Sequence, residues 1–157
     1  MTVTPDTPDS PSAGALWGGR FSGGLAPEMT RLNLSLDVDF RLWRQDIQGS
    51  RAWARALGRA GVLGDTEVAA ILDGLDAVEE RLQAGPPALA PDEDIHSLVE
   101  RLLVEEVGVV GGKLHSGRSR NDQVATDVRL WGMEAAHGVE GAILGVVEAL
   151  LALAHTG

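Results

Sequence analysis

At 157 residues with 44% hydrophobic side chains, the chain is long enough to bury one modest globular core. It is acidic, with 13 Lys plus Arg against 23 Asp plus Glu and a formal net charge of −10, which argues against a nucleic-acid binder. There is no cysteine, which excludes disulfides, thiolate nucleophiles and zinc knuckles and fits a reducing compartment. The first residues have neither a cationic start nor an apolar run, so no secretory signal is read there and the expectation is a cytoplasmic protein.

Residues 1–15 read as a disordered tail, because Pro5, Pro8 and Pro11 fall in it and apolar periodicity does not. In Leu16 to Gly24 the glycines disfavour a regular helix while Trp17 and Phe21 seek burial, which predicts a loop pinned by aromatics. A phosphate loop is the weaker reading, since no Lys-Ser/Thr pair follows and no strand precedes it. Ser35 reads locally as a turn or cap hydroxyl. A helix is predicted from about Val38 to Arg59, capped by Asp37 and ended by Gly61, with Leu42, Trp43, Ile47, Trp53, Ala56 and Leu57 on its apolar face.

The next helix starts at Asp65. Val68, Ile71, Leu72, Leu75, Val78 and Leu82 recur at helical spacing, Glu79, Glu80 and Arg81 make a solvated face, and Gly85-Pro86-Pro87 stops it. A third helix opens in Pro91 to His96, with acids in its first turn, and ends at Gly108. Ile95, Leu98, Val99, Leu102 and Val107 form its core face. His96 lies beside that face, where a lone histidine is usually a hydrogen-bonded structural residue. The four histidines contain no i, i+4 pair, so local spacing indicates no metal site.

The cationic exception in this acidic chain is the stretch Gly111-Gly112-Lys113-Leu114-His115-Ser116-Gly117-Arg118-Ser119-Arg120-Asn121-Asp122-Gln123. Gly112 and Gly117 let the backbone bend closely around a ligand, and Asn121 or Asp122 can cap a following helix. A cationic loop feeding a helix N-terminus suits an anion, and Arg can grip a carboxylate through two parallel hydrogen bonds. The plain alternative is a solvated basic turn. The helix that follows, from about Asp122 to Ala154, would be roughly 50 Å long. From Val139 it is apolar nearly all round, interrupted by Glu140 and Glu148. Those charges favour a deeply buried helix over a membrane span. The shorter helices cannot cover it, so other helices, from further chain or from partner subunits, are expected to pack there. Ending at Gly157 then reads as a truncation. The fold class is all-α.

Lys113 to Gln123 resembles the signature loop of argininosuccinate lyases, in the fumarase/aspartase superfamily, with Ser116 where the family commonly has Thr. Trp17-Gly18-Gly19-Arg20-Phe21, Asp46-Ile47-Gln48-Gly49-Ser50 and Asp92-Glu93-Asp94-Ile95-His96 are similar to other segments of the same family. The resemblance covers about Leu16 to Gly157 and implies the N-terminal part of a longer all-helical enzyme. It implies a small helical domain at 16–112 and, at 113–157, the signature loop and first long helix of a central bundle domain. It further implies a homotetramer whose active sites are shared between subunits, no cofactor, no metal, and neither a membrane nor a nucleic-acid partner.

The implied reaction is reversible elimination of argininosuccinate to arginine and fumarate, in arginine biosynthesis. By resemblance Ser35, Arg120 and Asn121 hold substrate, and His96, Ser116, Arg118 and Ser119 support the loop. The family's acid and base, the His of a Thr-His-Leu-Gln segment and the Ser of a Ser-Ser-x-Met-Pro loop, would lie beyond Gly157, so the chain alone is expected to be inactive. Two other readings stay open: a non-catalytic, crystallin-like relative, and another fumarate-releasing lyase of the superfamily. The Arg118 to Gln123 string argues against the second.

Overall fold

The helical periodicity of the sequence becomes seven α-helices and two short 3-10 turns in the computed structural model, which describes residues 26–87 and 90–156. Among the described residues there is no strand, and the all-α expectation holds. The expected 1–15 tail and the loop around Trp17 and Phe21 lie outside the described residues.

Helix α1 spans Pro27–Asn33 and α2 spans Leu36–Asp39; a 3-10 turn, Phe40–Leu42, leads into α3, Trp43–Arg59. The single helix expected from Val38 is therefore broken. Its start also moves. Ser35, not Asp37, is the N-cap residue, and Asp37 sits in the first turn, where its charge suits the dipole. Ser35 is tied down from two directions. Its hydroxyl donates to Asp39 Oδ2 at 2.6 Å, and its backbone N–H donates to the Glu93 carbonyl at 2.9 Å. Asp39 Oδ1 accepts the Ile95 N–H at 3.1 Å, so this short clasp joins the α2 end to the Glu93–Ile95 segment.

Helix α4 runs Asp65–Gln83, beginning where the sequence places it. Glu67 Oε2 accepts the Gly64 N–H at 3.0 Å, while the Glu67 N–H donates to the Gly64 carbonyl, which satisfies donors left free at the helix start. Helix α5 runs Ile95–Val107, later than the expected opening at Pro91. Asp94 decides this: as N-cap it is extended, and its carboxylate accepts the Ser97 N–H at 2.6 Å. A residue in that conformation cannot continue a helix backwards.

The core lies between α3, α4 and α5. Ile47, Ile71, Leu75, Val78, Ile95, Leu98 and Leu103 are fully buried, with Trp43, Leu57, Leu82 and Leu102 around them. The predicted apolar faces supply most of it. Trp53, Val68, Leu72 and Val107 pack only partly buried against this core, and Ala54 and Leu103 join it unforeseen. The face read as merely solvated is cross-linked: Arg81 pairs with Glu105 at 3.0 Å and Glu106 at 2.7 Å on α5, and Glu79 pairs with Arg51 on α3. Exposed pairs of this kind are worth about 0–1 kcal/mol each.

After Gly108 the chain makes a helical turn, α6, Val109–Gly112, then a 3-10 turn, Lys113–His115, and enters α7, Arg120–Thr156. The first part of α7 lies on α3. Its only buried residues are Gln123 and Asp127, both polar. Beyond them the helix leaves the body: Val139, Ile143, Leu144, Val146, Leu150, Leu151 and Leu153 are all more than half exposed. By length and composition α7 could cross a membrane. The core helix of a larger bundle has the same composition.

Candidate active site

The signature stretch folds back over α3 and α5 at the start of α7. Gly117 takes φ 66°, a left-handed conformation that turns the chain into the helix. Gly112 does not bend as expected; at φ −64° and ψ −22° it is ordinary helix. The cap also differs. With α7 starting at Arg120, Ser119 is the capping residue: its Oγ accepts the Asn121 N–H at 3.0 Å, and Asp122 Oδ1 accepts the Ser119 N–H at 3.0 Å. The two bonds form a reciprocal box. Neither Asn121 nor Asp122 is itself the cap.

This turn brings Arg118, Arg120, His115 and His96 around one cavity of about 20 Å³, walled also by Ser50 and Gln123. A space of that size holds about one water, far below the several hundred cubic ångströms of a ligand pocket. Arg118 Nη1 donates to Ser50 Oγ at 3.0 Å. Arg120 Nη1 donates to Gln123 Oε1 at 3.3 Å and Nη2 to Glu100 Oε2 at 3.2 Å, while its Nε is buried without a partner. Each guanidinium thus has one partner on another helix, Ser50 of α3 for Arg118 and Glu100 of α5 for Arg120.

The predicted site residues separate into groups. Arg118, Arg120 and His96 line the cavity. Ser119 and Asn121 lie at the exposed N-terminus of α7, Ser116 is half-buried in the preceding turn, and Ser35 is held in its own clasp with Asp39 and Glu93, outside the cavity lining.

Behind the cavity is a cluster that sequence reading did not assemble. Asp46 of α3, His96 of α5 and Asp127 of α7 meet in the interior, 0%, 3% and 0% exposed. His96 Nδ1 lies 3.3 Å from Asp127 Oδ2 and 3.5 Å from Asp46 Oδ2, longer than a good hydrogen bond. Asp46 Oδ1 accepts from Gln123 Nε2 at 2.6 Å and from Ser50 Oγ at 3.4 Å. Burial, then the Asp46 charge, push the Asp127 carboxyl up to about 7, against the pull of His96 and Arg118. Burial opposes charge on His96, but the nearby acidic side chains of Asp46, Asp94 and Asp127 outweigh it, and its pKa is raised. The arrangement is that of a histidine between two buried acidic side chains.

Gly49 leaves room where α7 approaches α3: a Cβ there would lie a tight 3.3 Å from Asp127 Oδ1 and 3.6 Å from Arg118 Nη2. The signal available in sequence was Asp46, a charged residue within the apolar face marked by Trp43 and Ile47. Gln123 and Asp127 share a face of α7 at i, i+4. What no local pattern gives is that the three helices bring these groups to one point.

A cationic, hydrogen-bonding loop at a helix N-terminus is thus backed by a buried acid–histidine cluster on an all-helical frame. A family model described as "Lyase" matches residues 19–156, and the chain belongs to that lyase family. Among the relatives it matches are argininosuccinate lyases. That of Roseiflexus castenholzii is 50% identical over 141 residues, covering 87% of this chain and 30% of the relative. That of Chlamydomonas reinhardtii is 57% identical over 117 residues, 74% of this chain and 25% of the relative. That of Kineococcus radiotolerans is 52% identical over 148 residues, 90% of this chain and 30% of the relative. The chain spans less than a third of the length of these relatives and corresponds to their N-terminal part.

Proposed function

We propose that this chain is the N-terminal portion of an argininosuccinate lyase, which eliminates arginine from argininosuccinate to leave fumarate, and works in the reverse direction in the same site. The observation that carries the reading is the convergence of Arg118 and Arg120 on one cavity at the start of α7, within a sequence about half identical to argininosuccinate lyases. In the reaction a base takes a proton from the carbon next to a carboxylate. The electron pair forms the C=C bond as the C–N bond breaks, and an acid protonates the departing guanidinium nitrogen. Negative charge grows on the carboxylate as the proton leaves. Groups already aimed at that charge stabilise the transition state more than the ground state. Arg120 and Asn121 take that role, Ser35 helps to hold the substrate, and Ser116, Arg118, Ser119 and His96 keep the loop in shape.

The cavity is too small for a dicarboxylate, so the working site needs further walls. In this reading they come from chain outside residues 1–157 and from neighbouring subunits of a cytoplasmic homotetramer. Residues 16–112 are its first domain and 113–157 the start of the central bundle, where the bare half of α7 is covered by other helices. The acid and base lie in those other parts, and the 157-residue chain alone does not turn over.

The test is fumarate release from argininosuccinate, followed by ultraviolet absorbance in the complete protein. Arg120→Ala should lower kcat/KM by ~30- to 1000-fold, about 2–4 kcal/mol, with unchanged circular dichroism. Near-normal kinetics would make the loop structural, and a crystallin-like relative would release none in the wild type. Release from malate, aspartate or adenylosuccinate instead would select another lyase of the superfamily.

A further inference from the structure

Asp46 is linked to both loop arginines by separate routes. Through Gln123, which donates to Asp46 and accepts from Arg120, it reaches one; through Ser50, which donates to Asp46 and accepts from Arg118, it reaches the other. Each guanidinium is therefore one side chain away from the same buried carboxylate. That carboxylate faces His96, which faces Asp127. Asp46 Oδ2, His96 Nδ1 and both Asp127 oxygens are buried without a hydrogen-bond partner. Such groups are expensive to bury and are held only where charge is shared among them.

We propose that Asp46, His96 and Asp127 form a buried proton-sharing lock that positions Arg118 and Arg120, so that the proton held inside the lock tunes the grip of the loop on an anion. The inference rests on the lyase reading for the identity of that anion alone. The charged groups around the lock come from every packed element: Asp46 from α3; Asp94 at the cap of α5, with His96 and Glu100 within it; His115 and Arg118 from the loop; Arg120 and Asp127 from α7. With His96 charged and both carboxylates ionised, the trio carries one net negative charge, and Arg118, whose Nη2 shares the Gly49 surface with Asp127 Oδ1, is drawn inward. A proton on Asp127 makes the trio neutral and releases Arg118 toward the cavity. Anion binding is then stronger on the acid side of the step and weaker above it. Asp46, His96 and Asp127 are positioning residues; none touches the substrate in this scheme.

The experiment uses the complete protein with fumarate as the probe, its Kd measured by calorimetry from pH 5.5 to 8.5 in wild type and Asp127→Asn. The expected wild-type Kd rises about tenfold through a step near neutrality, a usual size for coupling between two sites. Asp127→Asn should remove the step and bind at the acid-side level throughout. A wild-type step that survives intact in Asp127→Asn overturns the lock while leaving the lyase reading in place. If wild type neither binds fumarate nor releases it from argininosuccinate, the lyase reading fails, and the lock is judged without ligand. For that, magic-angle-spinning 15N spectra of histidine-labelled protein, with the His96 signal assigned by its loss in His96→Gln, should show an imidazolium at pH 7. A neutral His96 ring at pH 6 overturns the lock whatever the binding result.

Discussion

The two halves of α7 are opposites. The first half is fastened to the body by polar side chains: Gln123 to Asp46, Asp127 beside His96, and Glu134 accepting from Gln45 Nε2 at 2.6 Å. The second half is almost purely apolar and touches none of the core. In most helices the apolar stripe is buried and the polar one is wet; α7 inverts this within one continuous helix. Polar contacts at one end fix direction and register, because hydrogen bonds are specific in geometry. The apolar end holds the larger unspent driving force, since each fully buried Leu or Ile side chain is worth about 1.5–3 kcal/mol.

The largest effect should come from the apolar half. In the complete protein Val147→Asp, now 45% exposed, places a charge where the bundle should be dry. Sedimentation should show a disrupted oligomer, and an unaltered oligomer with wild-type melting would mean that nothing covers this half. At the polar end, Gln123→Leu strips Asp46 of its short hydrogen bond and Arg120 of one acceptor. Leaving buried groups unsatisfied costs about 1–3 kcal/mol, read as a lower midpoint in urea.

Asp127 gives the pH dependence. Its carboxyl is raised from 3.8 to about 7 in the fold, so between those values the folded state holds more protons than the unfolded one. Its contribution to stability is thus complete below about pH 4 and is lost as pH rises through 7. The raised His96 acts in the same sense, its contribution present below 6.5 and lost above its folded value. Asp127→Asn should therefore gain on wild type in melting temperature as pH goes from 5 to 8; a constant difference would contradict the raised carboxyl. The smallest change is Ser119→Ala, which removes the hydroxyl half of an exposed cap and should cost about 0.5–2 kcal/mol by thermal melting.

The same division governs what the sequence made legible. The sequence located the start of α4 to the residue, and periodicity gave most of the α3 and α5 core, because apolar spacing is a local record of which side faces inward. It also marked the back of α7 as a stretch the shorter helices do not cover. Helix starts at Ser35, Asp94 and Ser119 were misplaced by a few residues, since several neighbouring polar side chains could each cap and only the long-range ties of Ser35 and Ile95 decide between them. The Arg118 and Arg120 loop was visible as a cationic cluster in an acidic chain. The buried trio was not: Asp46, His96 and Asp127 lie on three helices, and their meeting follows from packing and from the room left by Gly49.

The bare half of α7 also bears on calorimetry. The heat capacity of unfolding measures apolar surface newly exposed to water, about 12–15 cal/mol/K per residue in ordinary domains. Residues from Val139 onward already present that surface in the folded chain. Alone, this chain should have a flatter stability curve than its length suggests. In the complete protein the same residues would contribute their full share of curvature, so the difference in heat capacity per residue gauges how much of α7 other helices cover.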